Sequence, residues 1–212
     1  MNQIVLGTIA ANKMNLNGDQ GNLLALKRFL EAAGQSVRVV SVTSTEEALK
    51  CHFLLLGHGS IAAMESLSSS LAAINWSSVL DSVPGLSVGS GTEWLAQIAP
   101  GATGFKRTER VSEFKVANLG SMPVLGYRNS DTTLPDLTFN GSFICAMLHG
   151  PVLAKNPMLL ARAARAAATK AGVQLDFSSD SLKDWIATLN RISQQIWELE
   201  AEGADYPALE LG

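Results

Sequence analysis

The chain is short of the residues that staple or span. Its 212 residues include two cysteines, Cys51 and Cys145, both inside apolar segments. That placement suits reduced, buried thiols in a cytoplasmic protein better than a disulfide framework. The three histidines and two cysteines show no zinc spacing, and Cys51 and His52 would point to opposite faces of a strand. No metal and no other cofactor is therefore expected. Aromatic residues make up 6% and charged residues 17%, against 47% hydrophobic, which excludes a disordered chain. Long apolar runs are missing too. The stretch from Phe143 to Leu148 is far too short to span a bilayer. The opening MNQIVLGTIAANK has no basic leader ahead of its apolar residues, so neither a signal peptide nor a membrane partner is expected.

What is there suffices for one domain at about 150 residues per domain. A chain of this length buries roughly 70% of its unfolded surface without staples. The net charge of −3 conceals an asymmetry: residues 1–175 carry 14 basic and 11 acidic side chains, residues 176–212 two and eight. An acidic tail gives no support for nucleic-acid binding.

Apolar runs at 3–10, 36–42, 52–57, 85–89, 111–117, 123–127 and 142–148 read as strands. Helical spacing links Leu23, Leu24, Leu26, Phe29 and Leu30 ahead of Gly34, and helices are also expected at 61–71, 93–98 and 151–171, the last closed by Gly172. Alternating strands and helices predict an α/β fold with a mostly parallel sheet, and the hairpin-like stretch 105–148 makes that sheet mixed. From Ser181 a 3.6-residue stripe runs through Leu182, Trp185, Ile186, Leu189, Ile192, Ile196, Trp197 and Leu199. Ser181 and Asp184 approximate a capping box at its start. The stripe packs either on its own body or on another chain.

In such sheets ligands bind where strands end, so the loops that follow them are the candidate sites. After the first strand, NLNGDQGN (15–22) is explained as a turn whose Asp19 or Asn22 caps the next helix. After the third, Gly57-His58-Gly59-Ser60 is either a tight turn or a cradle of backbone N–H groups for an oxyanion. After the fourth, Gly89-Ser90-Gly91 has the small residues of a nucleophile elbow without the G-x-S-x-G pattern. His149, at the end of a buried strand, sits where a general base could meet that elbow, or serves as a hydrogen-bonded structural residue. Lys106, Arg107, Arg110 and Lys115 read as a solvated basic face, with anion binding as the lesser alternative.

In this order, NLNGDQGN (15–22), LLLGHGS (54–60), GLSVGSGTEWL (85–95), GYRN (126–129) and LHGPVLAKNP (148–157) resemble the class I glutamine amidotransferases of the cobyric acid synthase type. The likeness is greatest to the glutaminase subunit of lipid II isoglutaminyl synthase. It implies a three-layer α/β fold with a mixed, mostly parallel central sheet. Residues 1–175 would form the amidotransferase-like domain and 176–212 an acidic helical extension of it. The family's elbow cysteine attacks a glutamine side-chain amide, N–H groups hold the oxyanion, a histidine moves protons, and ammonia passes to a partner synthetase. The resemblance puts that histidine at His149, its supporting aspartate at Asp19 and the oxyanion turn at Gly57, His58 and Gly59. Ser90, Gly91, Arg128 and Asn129 complete the implied ligand-binding set.

The elbow departs from the family. Gly89 stands at the cysteine position, Glu93 at the glutamine position, and the elbow glycine survives as Gly91. The family's glycine turn here holds His58 and Ser60, its GYEN is GYRN, and its glycine-rich insertion shrinks to 130–140. Two readings stay open. In one, the chain is a degenerate, non-catalytic homologue serving lipid II, peptidoglycan or cobyric acid amidation as a binding or partner subunit. Its partner would be a Mur-ligase-like ATP-dependent synthetase working with free ammonia or another glutaminase, and a homo-oligomer is also open. In the other, it is an active hydrolase or amidotransferase using Ser90 or Glu93 with His149 and Asp19.

Overall fold

Side chains of successive strand residues point to opposite faces, and here both faces are apolar. In the computed structural model, which describes residues 3–98, 104–201 and 203–210, Phe53 and Leu55 enter one core with Leu26, Phe29 and Leu160. Leu54 and Leu56, one residue out of phase, enter a second core with Trp76, Leu80 and Leu95. A sheet buried in this way needs helices on both sides, which gives three layers. The remaining residues of the two expected segments (1, 2, 99–103, 202, 211 and 212) lie outside the described residues.

The main sheet holds β1 (Ile4–Ile9), β2 (Val37–Val42), β3 (Phe53–Leu56), β4 (Gly85–Val88), β7 (Leu137–Asn140) and β8 (Phe143–Ala146) in the order β2-β1-β3-β4-β8-β7. All neighbours are parallel except the antiparallel pair β7 and β8. A second, antiparallel sheet joins β5 (Arg107–Leu119), β6 (Met122–Thr132) and β9 (Leu148–His149) in the order β5-β6-β9. The connecting helices are α1 (Gln20–Ala32), α2 (Thr45–Leu49), α3 (Ile61–Ala72), α4 (Trp76–Ser82), α5 (Ser90–Ile98), α6 (Val152–Lys155), α7 (Pro157–Ala171) and α8 (Asp180–Glu200). No helix among the described residues is long and apolar enough to cross a membrane.

The sequence expectations differ from this architecture in instructive places. Strand β7 and the short helices α2 and α4 have too few residues to show a period. The helix expected over 151–171 is two helices, broken at Asn156. That buried amide accepts the Leu125 N–H at 2.8 Å and donates to the Leu125 carbonyl at 2.9 Å, which ties the break to β6. Pro157 then starts α7, a position where its missing N–H is harmless. The capping box expected from Ser181 and Asp184 does not form, because α8 begins at Asp180 and places Ser181 inside the helix.

Helix α8 packs on its own body. Leu182 and Ile186 join the core shared by α1 and α7. Trp185 meets Phe29 edge to face at 5.7 Å, and Trp197, 1% exposed, packs with Leu125 of β6. Trp197→Ala should therefore lower stability by about 3–5 kcal/mol, seen as a reduced midpoint in urea unfolding; an unchanged midpoint would show that this end of α8 is loosely held.

Candidate functional site

Strand order reverses at β1, which has β2 on one side and β3 on the other. At such a switch point the loops leaving β1 and β3 part and open a crevice. Here backbone and side chain join those loops: the Leu16 N–H donates to the His58 carbonyl at 3.0 Å, and the His58 N–H donates to Asp19 Oδ2 at 3.0 Å. Strand β4 delivers Gly89 to the same crevice, and α5 starts at the next residue. Gly89 has φ +52°, and the strand–turn–helix geometry is that of a nucleophile elbow. Gly91 must also be glycine, since a β-carbon there would lie 2.6 Å from the Gly57 carbonyl oxygen.

The elbow has no room for a side chain. A β-carbon on Gly89 would lie 2.6 Å from His149 Cε1 and 2.6 Å from His58 Nδ1. The two imidazoles stand edge to face, their centroids 4.6 Å apart. His58 Nδ1 accepts the Ser90 N–H at 3.0 Å, so its ring proton sits on Nε2. The Gly59 N–H donates to Ser90 Oγ at 2.9 Å, and that hydroxyl donates to the Gly59 carbonyl at 3.0 Å. The His58, Gly59 and Ser90 N–H groups, candidate donors to an oxyanion, thus already have internal acceptors.

Protonation follows from burial. Desolvation, helped by His149, brings the His58 pKa down to about 4, so its ring is neutral near pH 7. His149 is also lowered, first by burial and further by Arg110 and Arg128, against the opposing Asn129 carbonyl. Its Nε2–H donates to that carbonyl at 3.1 Å, and its Nδ1 accepts from the Asn17 amide at 3.0 Å. Neither ring nitrogen of His149 is left to take a proton from a substrate. Asp19 is fully buried, with Oδ1 lacking a hydrogen-bond partner among the described residues. Burial raises its pKa to about 6 despite the His58 N–H.

The structure gathers Gly57, His58, Gly59, Gly89, Ser90, Gly91, His149 and the Asn129 carbonyl around one crevice. It gives the other expected residues different tasks. Asp19 pins the loop after β3, and no hydrogen bond joins it to His149. Nor does its side chain cap α1: the Gln20 N–H donates to Asn15 Oδ1, while Asn22 accepts the Leu153 N–H. Glu93, its pKa raised by burial, turns to Arg107 at 3.3 Å. Arg128 is buried and braces the chain after β6 through Asp136 at 2.6 Å and the Thr132 carbonyl at 2.7 Å. Two contributors were not singled out within the stretches that hold them: Asn17, inside the turn 15–22, and Arg110, one of four residues of the basic face. Arg107 and Lys115 pair with Asp131 and Asp136. Arg110 instead donates to Asn129 Oδ1 at 2.9 Å, which leaves it as a cation beside His149. At the elbow position itself Gly89 offers no side-chain atom, and the neighbouring Ser90 hydroxyl is bonded to Gly59.

The structure is similar to the glutaminase domain of Trypanosoma brucei CTPS with bound acivicin, at TM-score 0.51 and 10% identity over 81% of this chain and 95% of that one. The fold is class I glutamine amidotransferase-like. A glutamine amidotransferase from Thermotoga maritima also matches, at TM-score 0.44 and 12% identity over 94% of this chain and 99% of that one. The sequence matches no protein-family model and no curated protein. Identities this low speak for the amidotransferase-like fold alone.

Asp19 and His58 impose opposite pH dependences on stability. Between pH 3.8 and about 6 the folded state keeps the Asp19 proton that the unfolded chain has released, so Asp19 makes stability fall as pH rises. Between about pH 4 and 6.5 the folded state lacks the proton His58 binds when unfolded, so His58 makes stability rise. Asp19→Asn removes only the first effect. Its urea midpoint should climb more steeply than the parent's from pH 4 to 6; parallel profiles would show that Asp19 titrates normally.

Proposed function

We propose that the chain is a non-catalytic member of the amidotransferase-like fold, a binding or partner subunit that has given up covalent glutamine hydrolysis. One observation carries this reading: the volume into which an elbow nucleophile would project is filled by His58 and His149, each 2.6 Å from the Gly89 β-carbon position. A covalent mechanism needs an attacking atom, and glycine has none. Ser90 offers no substitute, because its hydroxyl exchanges hydrogen bonds with Gly59 and makes none with His149. The motif resemblance over residues 15–157 supports service in lipid II, peptidoglycan or cobyric acid amidation, beside a Mur-ligase-like ATP-dependent synthetase that draws ammonia from elsewhere.

Purified protein, alone or with a co-purifying synthetase, should release no ammonia from glutamine. Robust release that survives Ser90→Ala but not His149→Ala would overturn the reading. Gly89→Cys alone should remain unlabelled by acivicin, because His58 blocks the thiol. Gly89→Cys combined with His58→Gly should become labelled, read as a mass shift; equal labelling of single and double variants would show that His58 is no obstacle. Migration of the native protein as a bare monomer would count against the partner role.

A further inference from the structure

We propose a second binding site at the opposite end of the main sheet, for an amphipathic anion: a carboxylate or phosphate head on an apolar chain. A cleft of about 610 Å³ opens there, at the amino ends of β3, β4 and β8, a volume within the usual range for small-ligand sites. Its origin is local. Two of the α7 residues that face the cleft, Ala163 and Ala166, are small, which leaves space open between helix and sheet. Buried Phe53 and Ile144 supply an apolar floor.

The polar groups around this floor are one-sided. Among the described residues, Arg162 and Lys170 line the cleft and no acidic residue does. Among the described residues neither cation forms an ion pair. The Arg162 guanidinium lies over the Phe139 ring, 4.9 Å from its centroid, which holds the charge at the rim. Phe139 itself is 45% exposed and extends the apolar surface outward. Two cations above an apolar floor complement a ligand with a charged head and a hydrocarbon body. They complement neither a neutral lipid nor a small inorganic anion as well. The cleft is separate from the elbow: Gly85 starts β4 and Gly89 follows its last residue, about 13 Å away along the strand direction.

Calorimetric titration of the full chain with decanoate, decyl phosphate, 1-decanol and inorganic phosphate tests this site. Saturable one-to-one binding is expected for decanoate or decyl phosphate, and the tighter of the two identifies the head group. Arg162→Ala with Lys170→Ala should weaken it by about tenfold or more. Ala166→Phe should abolish it by filling the cleft. Should Ala166→Phe fail to fold, Lys170→Glu, at an exposed position, should still weaken binding. The proposal is overturned if neither amphiphilic anion binds or if 1-decanol binds as tightly as decanoate. It is equally overturned if inorganic phosphate alone matches decyl phosphate, or if the charge variants leave affinity unchanged.

Discussion

The His58 imidazole, lodged over Gly89 and hydrogen-bonded to the Ser90 N–H, is the contact around which the crevice is organised. Its backbone is held from the other side: the N–H by Asp19, the carbonyl by Leu16. One residue therefore fastens the loop after β1, the loop after β3 and the first residue of α5. Glycine at 89 permits the arrangement, since any β-carbon there would collide with both imidazoles. Absence of a side chain at the elbow and presence of a ring above it are two halves of one packing solution.

Burial then sets the charge of the crevice. It acts against the ionised form of each group, so it raises Asp19 and lowers His58 and His149. The histidines are neutral near pH 7, with hydrogen bonds that leave His149 no free acceptor. Arg110 stands beside them as a cation, held by Asn129. The crevice thus combines neutral imidazoles, internally bonded backbone N–H groups and one nearby cation.

Much of the fold was legible because its parallel strands are short runs of apolar and branched residues, and because α1, α7 and α8 are long enough to show a period. Val37–Val42 and Phe53–Leu56 form strands where their composition places them. Strand β7 and the helices α2 and α4 were not legible: they are short and carry no continuous apolar or branched run of their own. Asn156 could not be foreseen as a helix break, since its amide acts through Leu125, 31 residues away. The same holds at the site. His149 was conspicuous as a histidine after a buried strand. Arg128, expected to bind ligand, turns its guanidinium to Asp136 and to the Thr132 and Leu134 carbonyls, partners that no local pattern announces.

The sequence by itself determined that no thiol stands at the elbow: Gly89 has no side-chain atom, Cys51 precedes β3 and Cys145 lies within β8. It also determined that the carboxyl-terminal stripe would need an apolar partner. Only the tertiary structure decided what occupies each of these places. His58 and Gly89 are 31 positions apart and meet because β3 and β4 pair in parallel, with Leu56 opposite Ser87. The α8 stripe meets α1 and α7 because those helices leave an apolar surface on one face of the sheet. Local pattern specifies which surfaces are apolar and which positions lack atoms; the register between distant strands specifies what comes to fill them.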